Sequence, residues 1–322
     1  MKKGYLYIIL STILFSTMEI SLKLVSGKFN PIQLTFIRFF IGGIILLPLA
    51  ISNLKKRKIS VDVKSIGFFA LSGFICVIIS MVLYQLALLN AKASVVAILF
   101  SCNPVFVIPL AYVMLKEQVY KDTIVSMIVS IIGIVVIMNP FNMSGSAKGI
   151  IFTLLSAATF ALYGVVGKRK SSEYGGIALS SFSFIAGSIE MLILIAISKI
   201  SFIAALLNKS GLKMFADIPI IKGISLSTIP SLIFIGIFVT GFGYTFYFLA
   251  MDETSASTAS LVFYIKPALA PILALIILRE AITINMIIGI VLIIIGSCIT
   301  FICNSKRNNI DFEDRDKANF SA

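Results

Sequence analysis

Residues 84–117 read YQLALLNAKASVVAILFSCNPVFVIPLAYVMLKE, and residues 247–280 read YFLAMDETSASTASLVFYIKPALAPILALIILRE. Laid over each other at an offset of 163, without a gap, they agree at 11 of 34 positions. The shared residues include Tyr84 with Tyr247, Ala87 with Ala250, Ser94 with Ser257, Phe100 with Phe263, Pro104 with Pro267, Leu115 with Leu278 and Glu117 with Glu280. Gly133 and Gly296 continue the register. Upstream an offset of 145 pairs Gly4 with Gly149, Ser11 with Ser156, Phe15 with Phe160 and Lys23 with Lys168. The two offsets differ by 18 residues, which fall in a long loop near 199–222. A self-match at fixed spacing means a chain made of two copies of one unit.

Each copy is too apolar for water. Of 322 residues 59% are hydrophobic and only 13% charged, against about 25% charged in soluble domains, and the mean hydropathy is +1.06. Runs of roughly 20 apolar residues mark transmembrane helices. They occur near 4–25, 31–51, 65–88, 92–115, 120–138, 147–168, 176–198, 226–250, 255–278 and 283–303. The first run follows Met1-Lys2-Lys3 in the manner of a signal peptide, but it contains Glu19, lacks a small-residue cleavage site and recurs in the second copy, so it counts as a span. The expected fold is an all-α integral membrane protein of ten helices. The first repeat covers 1–142 and the second 143–303 with its inserted loop, followed by a polar, disordered cytoplasmic tail over 304–322. Five is an odd number, so the second copy enters the bilayer from the opposite side.

The net charge of +13 would point to nucleic acid in a soluble protein. Here Lys and Arg stand in short runs between apolar stretches, and no nucleic-acid partner is expected. With the N-terminus inside, 16 of them fall on the inner side and nine on the outer, which orients a multi-pass protein of the plasma membrane with both termini cytoplasmic. There is no His, and the four Cys (Cys76, Cys102, Cys298, Cys303) all lie in apolar runs, without the spacing of a metal or disulfide framework. No metal and no cofactor are expected. No nucleotide-binding loop is present, so transport of any kind has to run downhill or on an ion gradient.

Inverted repeats are the build of secondary transporters, with the site near the midplane between the copies. The five-plus-five plan, Lys116-Glu117 and Arg279-Glu280 at the ends of the fourth and ninth spans, and Pro104 and Pro267 within them resemble the EamA branch of the drug/metabolite transporter superfamily. The resemblance spans residues 3–302. It implies transport of small metabolites, often export of amino acids or related compounds, by alternating access between the halves.

Four ionisable residues fall inside spans: Glu19, Arg38, Glu190 and Lys266. Each costs about 2.5–3.5 kcal/mol at a span's centre, so each needs a partner or a wet cavity. Lys266 stands halfway along the ninth span, before Pro267, which leaves the carbonyl of Phe263 without its helical donor. It is the candidate for receiving an anionic group of a solute, or for an internal ion pair with Glu19. Glu19 shares a helix face with Thr12, Ser16 and Lys23, and is a candidate for a solute amine or an exchanged proton, or a structural partner of Lys266 or Arg38. In small four-helix relatives of the superfamily an acid of the first helix binds cation and proton; that position falls nearer Ser16. Arg38 and Glu190 lie in outer halves of their spans, where long side chains reach the membrane surface, and are expected to be structural.

Tyr84, Tyr163, Tyr244 and Tyr247 are candidates for the aromatic walls of a pocket, since a Tyr hydroxyl in hydrocarbon needs a partner, or for packing between helices. Asn103 occupies the repeat position of Lys266, offering an amide to the same cavity or a bond between helices. The chain thus reads as a non-enzymatic secondary transporter, an exporter of small polar solutes such as amino acids. Its partners are the solute and the lipid bilayer, protons are the candidate coupling ion, and it is a monomer or homodimer. The alternatives are efflux of cationic drugs, for which Glu19 rather than Lys266 is indispensable, and a membrane enzyme or scaffold that transports nothing.

Overall fold

Helix starts follow local side-chain chemistry. The Asn30 side chain accepts from the N–H of Ile32 at 2.9 Å, and Gln33 closes a capping box with it ahead of Pro31. The Asp62 side chain accepts from the N–H of Ser65 at 2.8 Å and from its hydroxyl, which holds that carboxyl below its usual range. Each cap satisfies donors that a helix start leaves open.

The computed structural model describes residues 2–138 and 147–296, with 298–299 and 302–303. The helices are α1 (Lys3–Leu24), α2 (Pro31–Arg57), α3 (Val63–Asn90), α4 (Ala93–Leu115), α5 (Lys121–Met138), α6 (Ala147–Tyr174), α7 (Gly176–Ser198), α8 (Ile229–Glu253), α9 (Val262–Leu278) and α10 (Ile284–Gly296). Among the described residues, α1 to α4 and α6 to α8 are each long and apolar enough to cross a membrane. The protein is an all-α, multi-pass membrane protein. Helices α2, α3 and α6 run past the spans read from hydropathy. Apolarity stops at Lys55 and Lys168, but backbone hydrogen bonding continues to Arg57 and Tyr174. The expected tail at 304–322 lies outside the described residues.

The loop after α7 is more than an insertion. It holds a short helix, Ser201–Lys209, and docks on the start of α2. Asn30 donates to the carbonyl of Met214 at 2.8 Å, and the Gln33 amide donates to those of Ile220 and Lys222 at 2.9 and 2.7 Å.

Contacts recur at the two offsets seen in the sequence. The Ser11 hydroxyl donates to Gly243 O at 2.9 Å, and that of Ser156 to Ser80 O at 2.7 Å. The Lys23 ammonium donates to Leu88 O at 2.6 Å, and Lys168 to Met251 O. Helices α3 and α8 both loosen to π-helical bonding, over Phe74–Ser80 and Phe234–Phe242, a widening common at functional sites. Beside these segments glycines let backbones touch. A Cβ on Gly73 would meet the backbone of Ser183 and Gly187 at 2.4 and 2.5 Å, and one on Gly42 would meet Gly236 O at 3.0 Å.

Gly73→Ala is therefore expected to lower the unfolding temperature of the detergent-solubilised protein, at an overpacking cost of about 1–3 kcal/mol or more. Gly67→Ala, whose Cβ would meet nothing within 4 Å, is not. A thiol-reactive dye that reports release of the buried Cys76 and Cys102 follows both.

Candidate functional site

Helix α1 is interrupted at Thr17, so that Lys2–Ser16 and Met18–Leu24 are separate segments and Glu19 falls in the first turn of the second. On the other side, the chain turns at Ser260 and Leu261 between the short helix Ala256–Ala259 and α9. Glu19 and Lys266 face each other from these two segments. The two form an ion pair, and the Tyr84 hydroxyl donates to the same oxygen of Glu19 that Lys266 meets. Glu19, Lys266 and Tyr84 are all 0% exposed. The ammonium also stands 4.9 Å from the centroid of the Phe100 ring, while the second oxygen of Glu19 has no hydrogen-bond partner. The pair joins residues more than two hundred positions apart, one in each half of the chain.

Of the polar face expected on α1, Ser16 turns its hydroxyl onto Thr12 O of its own helix at 2.7 Å, and Thr12 onto Ile8 O at 2.7 Å and across to Val262 O at the start of α9 at 3.3 Å. Glu19 alone reaches Lys266. Asn103 donates to the carbonyl of Ala157 at 2.9 Å, linking α4 to α6, and its side-chain oxygen is unpartnered.

Arg38 corrects its sequence reading. It does not reach the membrane surface: it is 0% exposed, with one nitrogen 3.6 Å from the sulfur of Met18 and Cζ 4.6 Å over the ring of Phe39. Position along a helix was legible, but which face α2 turns to the interior depends on its packing against α7 and α8. Glu190 is half-buried, with one oxygen unpartnered.

The tyrosines meet around a ring that the sequence reading passed over. Phe160 lies 5.6 Å from Tyr244, 5.8 Å from Tyr247, 5.9 Å from Tyr163, 5.5 Å from Phe100 and 5.8 Å from Phe263. Tyr84 stacks edge-on to Phe100 at 4.9 Å. The Tyr244 hydroxyl donates to the sulfur of Met81 at 3.2 Å; those of Tyr163 and Tyr247 are unpartnered. Phe160 and Phe15 were already a matched pair in the repeat, and that was the available signal.

Two carboxylates frame this core. Glu280, after α9, accepts from the N–H groups of Ala93 and Ser94 at 2.9 Å each and from the Ser94 hydroxyl at 2.6 Å. Glu117, after α4, does the same for Ala256 at 3.0 Å, Ser257 at 3.3 Å and the Ser257 hydroxyl at 2.6 Å. Glu280 thus caps α4, and Glu117 caps the short helix Ala256–Ala259 that leads into α9. Lys116 and Arg279, with φ of 59° and 56°, make the left-handed turns that aim these acids.

Residues 2–139 and 147–302 match the EamA-like transporter family. The chain belongs to this family. A relative from Clostridium kluyveri, named an uncharacterized transporter, is 43% identical over 318 residues, covering 96% of each chain. Another of that name from Archaeoglobus fulgidus is 27% identical over 283 residues, covering 88% of this chain and 91% of the relative. A solved crystal structure superposes with a TM-score of 0.66 at 15% identity, covering 92% of this chain and 96% of the other, which bears on the fold alone. As an EamA transporter the protein carries its densest buried polar chemistry at Glu19, Lys266 and Tyr84. Among the described residues no three His, Cys, Asp or Glu gather as a metal site.

Removing one member of a buried ion pair strands the other. Lys266→Ala is expected to destabilise the detergent-solubilised protein by about 3–5 kcal/mol. The pair-free variant Glu19→Gln with Lys266→Met is expected to recover most of that loss, as read by thermal unfolding.

Proposed function

We propose that this EamA transporter is a secondary transporter, working as an exporter of small polar metabolites such as amino acids. Ten spans form two inverted repeats, 1–142 and 143–303, in the plasma membrane with both termini in the cytoplasm. The paired contacts at the repeat offsets, the reciprocal caps of Glu117 and Glu280, and the family match in two stretches support that plan. Alternating access then rocks one repeat against the other around a midplane site.

One observation carries the functional reading: a fully buried carboxylate and ammonium, one from each repeat, meet among aromatic rings. A merely structural core has no need of charge there, since well-packed apolar residues are often as stable. When the halves part, the pair opens. The cluster around Lys266 then receives an anionic group of the solute, Glu19 takes its amine or a proton, and Tyr84, Asn103, Tyr163, Tyr244 and Tyr247 line the cavity. Proton exchange at Glu19 is the route by which an ion gradient couples to transport.

Efflux of cationic compounds is the second reading, favoured by the unpartnered oxygen of Glu19 within an aromatic cluster, where a cation gains from both charge and ring faces. Uptake of a labelled amino-acid panel into proteoliposomes separates the two. Amino-acid transport that Lys266→Ala abolishes, and that falls when the proton gradient is collapsed, is the expected result. Unchanged transport by Lys266→Ala removes that residue from the site, and loss with Glu19→Gln alone supports the cationic reading. The stable pair-free variant is expected to be inactive; full activity there makes the pair purely structural.

A further inference from the structure

Among the described residues three charged side chains are fully buried: Glu19, Arg38 and Lys266. One carboxylate faces two cations. A guanidinium does not give up its proton, and a proton passed between Glu19 and Lys266 leaves their sum unchanged, so the interior carries one uncompensated positive charge. Lys266 is engaged with Glu19. The unanswered charge is that of Arg38.

The geometry of Arg38 says what would answer it. Its Nη1 meets only the Met18 sulfur at 3.6 Å, a weak acceptor, and Phe39 takes one face of the guanidinium plane without using an N–H. Nε and Nη2 have no partner at all. These two nitrogens share one edge, and their N–H bonds run parallel at the spacing of the two oxygens of a carboxylate. The groups near enough to act on it electrostatically are Tyr244, Tyr84, Cys76 and Glu19; of these only Glu19 is an acid. The repeat does not demand the charge either, because the counterpart of Arg38 at the offset of 145 is Ser183, which pairs quietly with Ser72.

We propose that Arg38 is the docking point for the carboxylate of the transported solute, which places the substrates among small molecules with one carboxylate. This rests on the transport reading above and changes one assignment in it: the solute's acid group lies on the Nε–Nη2 edge of Arg38 rather than on Lys266, which stays with Glu19 until an amine or proton arrives. A bidentate guanidinium–carboxylate pair out of water discriminates strongly against a neutral isostere, by about tenfold or more.

The test is binding by the purified full chain, read by ligand-induced thermal shift, with amino acids and N-acetyl amino acids each beside the corresponding amide. The expected result is that acids bind at least about tenfold more tightly than their amides, that Arg38→Gln erases the difference and that Arg38→Lys keeps part of it. Equal binding of acids and amides, or no binding of any acid in the panel, overturns the proposal on the unmodified protein, so it does not depend on whether Arg38→Gln folds. A preference that survives Arg38→Gln also overturns it. Proteoliposome uptake is scored separately: a preference for acids without uptake of any of them leaves Arg38 in place and sinks the transport reading instead.

Discussion

A carboxylate and an ammonium held where no water reaches are tolerable only in each other's company. The ion pair of Glu19 and Lys266 imposes that condition on everything around it. It brings the second segment of α1 against the start of α9, where the chain turns at Ser260 and Leu261. It needs Tyr84 to share the load on one oxygen, and a wall of rings to exclude solvent. In a low-dielectric interior such an arrangement is strong when complete and costly when half complete.

Around that pair the frame is close to symmetric and the chemistry is not. The Glu caps, the Ser-to-carbonyl bonds, the Lys-to-carbonyl bonds and the π-helical segments all come in twos. The charges come singly. Lys266 stands where the other copy has Asn103, Glu19 where it has Gly164, and Arg38 where it has Ser183. The matched contacts follow the sequence match, and the buried charges fall where the match fails.

Much of this was legible before any coordinates. Apolar runs and the match of 84–117 with 247–280 disclosed a helical membrane protein and its internal likeness, since hydrophobic length and residue identity are properties of the chain alone. Glu19 and Lys266 stood out because charge in a span is expensive wherever it points. Their pairing did not follow from spacing, because it depends on two helix breaks and on how α1 and α9 are rotated. Arg38 was misread for the same reason: half a turn of α2 separates lipid from interior. Glu117 and Glu280 were visible as matched residues, yet their partners, Ser257 and Ser94, lie in the opposite copy, beyond the reach of any local capping rule. The helix Ser201–Lys209 was missed because a short surface helix lacks the length on which span-finding depends.

The crossed caps have one more consequence. Glu280 grips the first turn of α4, and Glu117 lies just past that helix's last turn, gripping the segment that leads into α9. The two clasps therefore sit at opposite ends of the same helix pair. Parting α4 from α9 at one end means releasing three hydrogen bonds to a charged group, each worth about 1.5–3 kcal/mol, while the far clasp can stay closed and serve as a hinge. Releasing both at once forfeits twice as much with no fulcrum left. A chain fastened in this way resists losing both clasps at once.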